Sequence, residues 1–379
     1  MGPSCGCTKT NTIPFLETFT KIKKIGSGAY GEAFLIMSNT TNKKYVAKIV
    51  NIKNPTEEVM EKASSEANIL KMCNHPNIIL FKEAFKQRNG EEVKLNIITE
   101  YCDEGDLEAK AKEQELKRKH FDEIQLINWL MQICLGLKYL HKKKIIHRDI
   151  KPSNIFLTKK GYVKLGDFGL SKIFNNEDSN KDKIIRVNSL KGTVYFFSPE
   201  MVVYKEYNEK SDIWALGITF YYLMNFSYLY SGTTEREIFI SIALDEKEEN
   251  SKFRKNSYSK EFVDLINSML SKKPEDRPSA KKILKSKVIK ERMEPFLKDH
   301  KFNSKEVSKF IEEYEKQMKE KNKSNKNKEE NCFLEKNIIS DNIEIKNLTE
   351  EEIEELKKEK EKKEKYEMNQ LLNIVQKSL

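Results

Sequence analysis

The stretch IIHRDIKPSN, residues 145–154, mixes isoleucines with His147, Arg148, Asp149, Lys151 and Asn154. Charge beside isoleucine is costly to bury unless it is paired or liganded. The segment therefore reads as a half-buried loop whose polar side chains meet partners. Three other elements carry related chemistry. Gly26-Ser27-Gly28-Ala29-Tyr30-Gly31 lies between two predicted strands. Glycines let a backbone lie close over phosphates with its N–H groups turned to oxygen. The same spacing occurs in dinucleotide folds, but a helix follows the loop there, and a second strand follows it here. Lys48 sits in the apolar strand VAKIV and needs an anionic partner. Glu66, on the next predicted helix, supplies one, and phosphate oxygens another. Asp167-Phe168-Gly169 follows the strand VKLG, 13 residues after Asn154.

The elements that must position these residues fall into two groups. From Phe19 to about Asn51, β-branched and aromatic residues alternate with turns and predict three antiparallel strands. PTEEVMEKASSEANILKM has a helix start at Pro55-Thr56 and predicts a helix to about Cys73; HPNIILFKEAF and VKLNIITEY predict two more strands. Beyond Asp106, Phe121, Ile124, Ile127, Leu130, Cys134 and Leu137 recur at three- and four-residue steps, the signature of a long core helix. Short strands IFL and YVKLGD follow, with helices predicted around 211–225 and 259–271. The expected fold is α+β and two-lobed: a small five-stranded β lobe with one helix (18–102) and a larger, mainly helical lobe (103–290). Residues 1–17 read as a flexible terminus, 291–347 as a polar linker with some helix, and 348–379 as a charged or amphipathic helix opened by a capping box at Thr349.

From about Phe19 to Val288 the sequence resembles the eukaryotic protein kinases. The loop His147-Arg148-Asp149-Ile-Lys151-Pro-Ser-Asn154 matches that family's catalytic loop at every polar position. The glycine loop, Lys48, this loop and Asp167-Phe168-Gly169 occur in the family's order. The resemblance implies that Asp149 accepts or orients the proton of the attacking hydroxyl and that Lys151 neutralises the transferring phosphoryl. It implies Asn154 and Asp167 as magnesium ligands, and Lys48 paired with Glu66. It assigns ATP to Ile25, the loop Gly26–Gly31, Ala33, Ala47 and Phe156, with Thr99 as gatekeeper and Glu100–Cys102 as the hinge. Ala33 replaces the expected Val. Ser198-Pro199-Glu200 stands where the family has Ala-Pro-Glu. Glu200 and Arg277 are expected as a buried structural bridge, with Asp212 bracing the catalytic loop. Lys151 with Gly192-Thr193 resembles the serine/threonine pattern. The stretches around 132–174 and 198–217, with YCDEGDL at the hinge, resemble the NIMA-related (Nek) kinases. By that resemblance, residues 170–197 form an activation segment switched by phosphate on Ser189, with Arg148 as its partner.

These readings imply ATP and Mg2+ as cofactors and protein serines or threonines as substrates. The alternative is a kinase-fold scaffold, inactive or conditionally active, acting through its C-terminal tail. Leu371, Leu372, Ile374 and Val375 could bury in a cytoskeletal or self-association partner. Net charge is +10, yet residues 291–379 hold 20 Lys+Arg against 22 Asp+Glu, so the excess lies in the preceding body. Its basic residues are dispersed and no nucleic-acid motif appears, so no nucleic-acid partner is expected. No secretory segment and no membrane-length apolar run is present, and the six cysteines lack zinc or disulfide spacing. The expected location is cytoplasmic, with cytoskeletal association through the tail. Membrane attachment would require lipidation at Gly2, Cys5 or Cys7, where Gly6 departs from the myristoylation pattern.

Overall fold

The computed structural model describes residues 18–28, 31–53, 55–89, 92–173, 193–204, 207–245 and 257–299. Five antiparallel strands, β1 (Phe19–Gly28), β2 (Gly31–Ser38), β3 (Lys44–Ile52), β4 (Phe81–Asn89) and β5 (Glu92–Glu100), form one sheet ordered β1-β2-β3-β5-β4. Side chains alternate across a strand. On β3 that period puts Ala47 and Ile49 into a cluster with Phe19, Ile36 and Ile98 on one face. Val46 and Lys48 are left for the other. Gly31, where β2 begins, has φ +132°, and a Cβ there would lie 2.2 Å from the Ile49 carbonyl oxygen. Only glycine lets the two strands approach so closely.

Helix α1 (Glu57–Met72) is capped by Thr56, whose side chain accepts the Val59 N–H. Its Ala67, Ile69 and Leu70 are buried, and Glu66 turns inward beside them. Packing stabilises this helix more than its cap does, because a buried aliphatic side chain contributes about 2 kcal/mol and a cap about 1.

The second lobe contains α2 (Leu107–Leu116), α3 (Glu123–Lys142), α4 (Pro199–Val203), α5 (Glu209–Asn225), α6 (Glu235–Leu244), α7 (Lys260–Met269), α8 (Ala280–Ile283) and α9 (Lys287–Asp299). Two small antiparallel strand pairs lie between α3 and α4. Strand β6 (Ile145–Ile146) pairs with β9 (Lys172–Ile173), and β7 (Ile155–Leu157) with β8 (Val163–Leu165). Helices α3 and α5 are apolar around most of their circumference and form the centre of the core, including the fully buried Trp214. Main-chain bonds join the lobes: Ile79 N–H donates to the Leu165 carbonyl (2.8 Å) and Leu165 N–H to that of Asn77 (2.9 Å).

The expected domain boundary at 290 falls inside α9. That helix continues to Asp299, and its Met293 and Phe296 are buried in the main core, so the folded body extends past the expected linker start. The expectations for residues 1–17, for 300–379 and for Ser189 lie outside the described residues. No helix among the described residues is long and apolar enough to cross a membrane.

Candidate active site

A cleft of about 590 Å³ opens between the sheet and the helical lobe. Its roof comes from the β1–β2 hairpin, with Ile25, Gly26, Ser27, Gly31 and Ala33. Thr99, Glu100 and Cys102 lie along its back. Lys151, Asn154, Phe156 and Asp167 form its floor, and Lys48 and Glu66 its inner wall. Gly28 closes the hairpin opposite Gly31; Ala29 and Tyr30 lie outside the described residues. Phe156 packs directly against Gly166, where a Cβ would lie 2.7 Å from the ring.

One expectation is corrected. Ala47 does not line the cleft; it is fully buried on the opposite face of the sheet. Val46, two residues before Lys48, takes the cleft position, as the two-residue period of a strand requires. Leu70 and Asp106 also line the cleft and were not singled out in the sequence. Asp106 caps α2, its side chain accepting the Ala109 N–H at 2.8 Å.

Lys48 Nζ lies 2.7 Å from both Glu66 Oε2 and Asp167 Oδ1. Burial alone would lower the lysine, but the two carboxylates outweigh it and hold the ammonium charged. Burial pushes the Glu66 carboxyl up; the short contact to a charged lysine keeps the pair ionised. Burial also opposes charge on Asp167, yet Lys48 holds its carboxyl below the usual range. Asp167 has φ +54°, a left-handed conformation, and its Oδ1 accepts the Gly169 N–H at 3.3 Å. Phe168 is fully buried with its ring 4.8 Å from that of His147. Burial depresses His147 and keeps it neutral.

The loop after β6 is held from beneath by Asp212 on α5. Its carboxylate accepts the N–H groups of His147 (3.0 Å) and Arg148 (2.9 Å) and contacts His141 Nε2 at 2.8 Å. Burial would raise Asp212, but His141 and these donors bring it below the ordinary range. Above this brace three polar side chains meet. Asp149 Oδ2 is 2.9 Å from Lys151 Nζ and accepts from Asn154 Nδ2 at 2.8 Å. Asn154 Nδ2 also donates to the Asp149 carbonyl at 2.8 Å. One carboxylate, one ammonium and one amide thus meet here: Lys151 and Asn154 line the same cleft as Lys48 and Asp167, and Asp149 lines the adjoining crevice.

At the back, Glu100 Oε1 accepts the Leu80 N–H at 2.7 Å and pairs with Lys164 at 2.7 Å, fixing the segment Glu100–Cys102. The Cys102 thiol is pushed up to about 12, first by burial and then by Glu100, so it stays protonated. Away from the cleft, Glu200 and Arg277 form a two-pronged bridge, with Arg277 Nη1 to Oε1 and Nη2 to Oε2 both at 2.8 Å. Arg277 is fully buried; its other donors reach the carbonyls of Ser271, Lys210 and Lys272. Burial would raise Glu200, but Arg277 holds it low. Thr193 begins the turn Thr193–Phe196, of which Phe196 lines the crevice next to Asp149.

The donor set fits magnesium and a nucleotide. No group of three or more His, Cys, Asp or Glu suited to a metal occurs among the described residues. Asp167 and Asn154 offer one carboxylate and one amide, the sparse oxygen set with which Mg2+ is held when phosphates complete its shell. The cleft supplies apolar walls for a base and the Lys48 ammonium for phosphate.

A two-lobed fold with this constellation is that of a protein kinase domain. The protein kinase domain model matches residues 19–289, and the chain belongs to that family. Among its curated relatives, the chain is 36% identical over 284 residues to serine/threonine-protein kinase Nek1 of Mus musculus, covering 74% of this chain and 22% of that protein. It is 35% identical over 276 residues to Nek4 of Mus musculus (73% and 33%) and 36% identical over 285 residues to Nek5 of Homo sapiens (74% and 38%). The chain therefore spans well under half the length of these relatives.

Proposed function

We propose that the chain is a serine/threonine protein kinase of the NIMA-related type, which transfers the γ-phosphoryl of ATP to protein hydroxyls. The observation that carries this reading is the double grip of Lys48 on Glu66 and Asp167, set beside Asp149, Lys151 and Asn154. Asp149 accepts the proton of the acceptor hydroxyl as its oxygen bonds to the γ-phosphorus and the bond from that phosphorus to the β,γ-bridging oxygen breaks, releasing ADP. Lys151 neutralises charge on the transferring group, a role supported by its position 2.9 Å from Asp149. Asp167 and Asn154 would hold Mg2+, which would neutralise phosphate charge. Lys48 orients the phosphates while α1 supplies Glu66 to fix it. The serine/threonine assignment rests on Thr193 following Gly192, and on the relatives above.

Regulation belongs to the same proposal. A phosphate on Ser189, three residues before Gly192, pairs with Arg148 and orders the activation segment.

The test is transfer of labelled phosphate from Mg-ATP to a generic protein substrate by the full chain and by Asp167→Asn. Transfer should be robust in the wild type and fall at least about a hundredfold in the variant. Equal transfer by both would sink the proposal.

A further inference from the structure

The guanidinium of Arg148 rests on the ring of Tyr207, with its carbon 3.6 Å from the ring centroid. Both residues line the crevice beside Asp149. Tyr207 lies two residues before α5, and α5 also holds the Arg148 main chain, because Asp212 accepts the Arg148 N–H at 2.9 Å. That main chain has φ +69°, a left-handed conformation that persists only where the surroundings over-determine it. Residues 207–212 therefore grip Arg148 at both ends, by the backbone and by the face of its charged group.

The grip is itself anchored. Asn208 caps α5 by accepting the Lys210 N–H at 2.8 Å. Ser211 Oγ accepts the Asn208 N–H at 3.2 Å and donates to Glu200 Oε1 at 2.7 Å. Glu200 is the carboxylate that holds Arg277. The position of Tyr207 is thus tied to the buried Glu200–Arg277 ion pair.

The chemistry of the contact matters. An aromatic ring takes the flat face of a guanidinium. It leaves the in-plane N–H fork, which is the edge that binds carboxylate or phosphate in two-pronged fashion. A carboxylate at position 207 would compete for that edge.

We infer that Tyr207 is a positioning residue: its ring holds the Arg148 guanidinium so that the N–H fork meets an anion carried by the activation segment. The inference rests on the proposed pairing of Arg148 with an activation-segment phosphate. It requires the ring of Tyr207 and not its hydroxyl.

The test uses the full chain as wild type, Tyr207→Phe, Tyr207→Leu and Arg148→Gln. Each is prepared with the activation segment phosphorylated, confirmed by mass spectrometry, and again after phosphatase treatment. The readout is the ratio of kcat/KM between the two forms, with thermal unfolding as a control for folding. Wild type and Tyr207→Phe should share one ratio. Tyr207→Leu should lose about fivefold of it, while its dephosphorylated form matches the dephosphorylated wild type. If the leucine variant does not fold, Tyr207→Met, unbranched and without a ring, carries the same comparison. A full ratio in the leucine or methionine variant, with Arg148→Gln lacking it, overturns the role of Tyr207 alone. A wild-type ratio near one overturns the Arg148–phosphate pairing and this inference with it.

Discussion

An ammonium with carboxylates at 2.7 Å on two sides keeps its charge through a burial that would otherwise remove it. Its β3 neighbours divide between two environments. Val46 faces the cleft and Ala47 faces the cluster of Phe19, Ile36 and Ile98. Val46→Phe should raise the KM for ATP at least about tenfold by filling the cleft. Ala47→Val should leave that KM unchanged and instead cost about 1–3 kcal/mol of stability through overpacking. Steady-state kinetics with urea unfolding of both variants checks this, and the reverse pattern would show the assignment to be wrong. The Lys48–Glu66 pairing was legible in the sequence, because a charge in an apolar context must have a partner. Ala47 was misplaced because the resemblance assigned it, whereas the two-residue period counted from Lys48 puts Val46 on the lysine's face and Ala47 on the other.

At the scale of elements, helix α5 does more than fill the core. Its first turns brace the catalytic loop through Asp212 and engage the Glu200–Arg277 bridge through Ser211. Removing one partner of a buried pair strands the other's charge. Arg277→Leu should therefore destabilise the large lobe by about 3–5 kcal/mol, measured by chemical denaturation; a cost below about 1 kcal/mol would show the bridge to be dispensable. The long helices α3 and α5 were legible because they bury residues at helical spacing. Helix α2 was not: only Leu107 and Ala111 are buried on it, too few to write a stripe. The continuation of α9 past 290 was hidden by its charged face and by Pro295 within the helix.

Across the whole molecule, buried titrating groups set a pH response. His147 is fully buried, and its folded value lies below the ordinary 6.5. Its contribution is complete above pH 6.5 and is lost as pH falls below that, because the unfolded chain takes up the proton first. The loss approaches about 1.4 kcal/mol per pH unit for this one group. Glu200 and Asp212, both held low, add their own losses only below about pH 4.5. The stability advantage of wild type over His147→Gln, followed by denaturation, should therefore shrink between pH 6.5 and 5. An advantage that stays flat, or grows, across that window would contradict the buried neutral histidine.

The central claim is that this cleft moves phosphate from Mg-ATP to a serine or threonine hydroxyl. Its most direct measurement is phosphoamino-acid analysis of a protein substrate labelled by the full chain, beside Asp167→Asn. The account predicts label on serine or threonine from the wild type and almost none from the variant. Label on tyrosine alone, or equal label from both proteins, would contradict it.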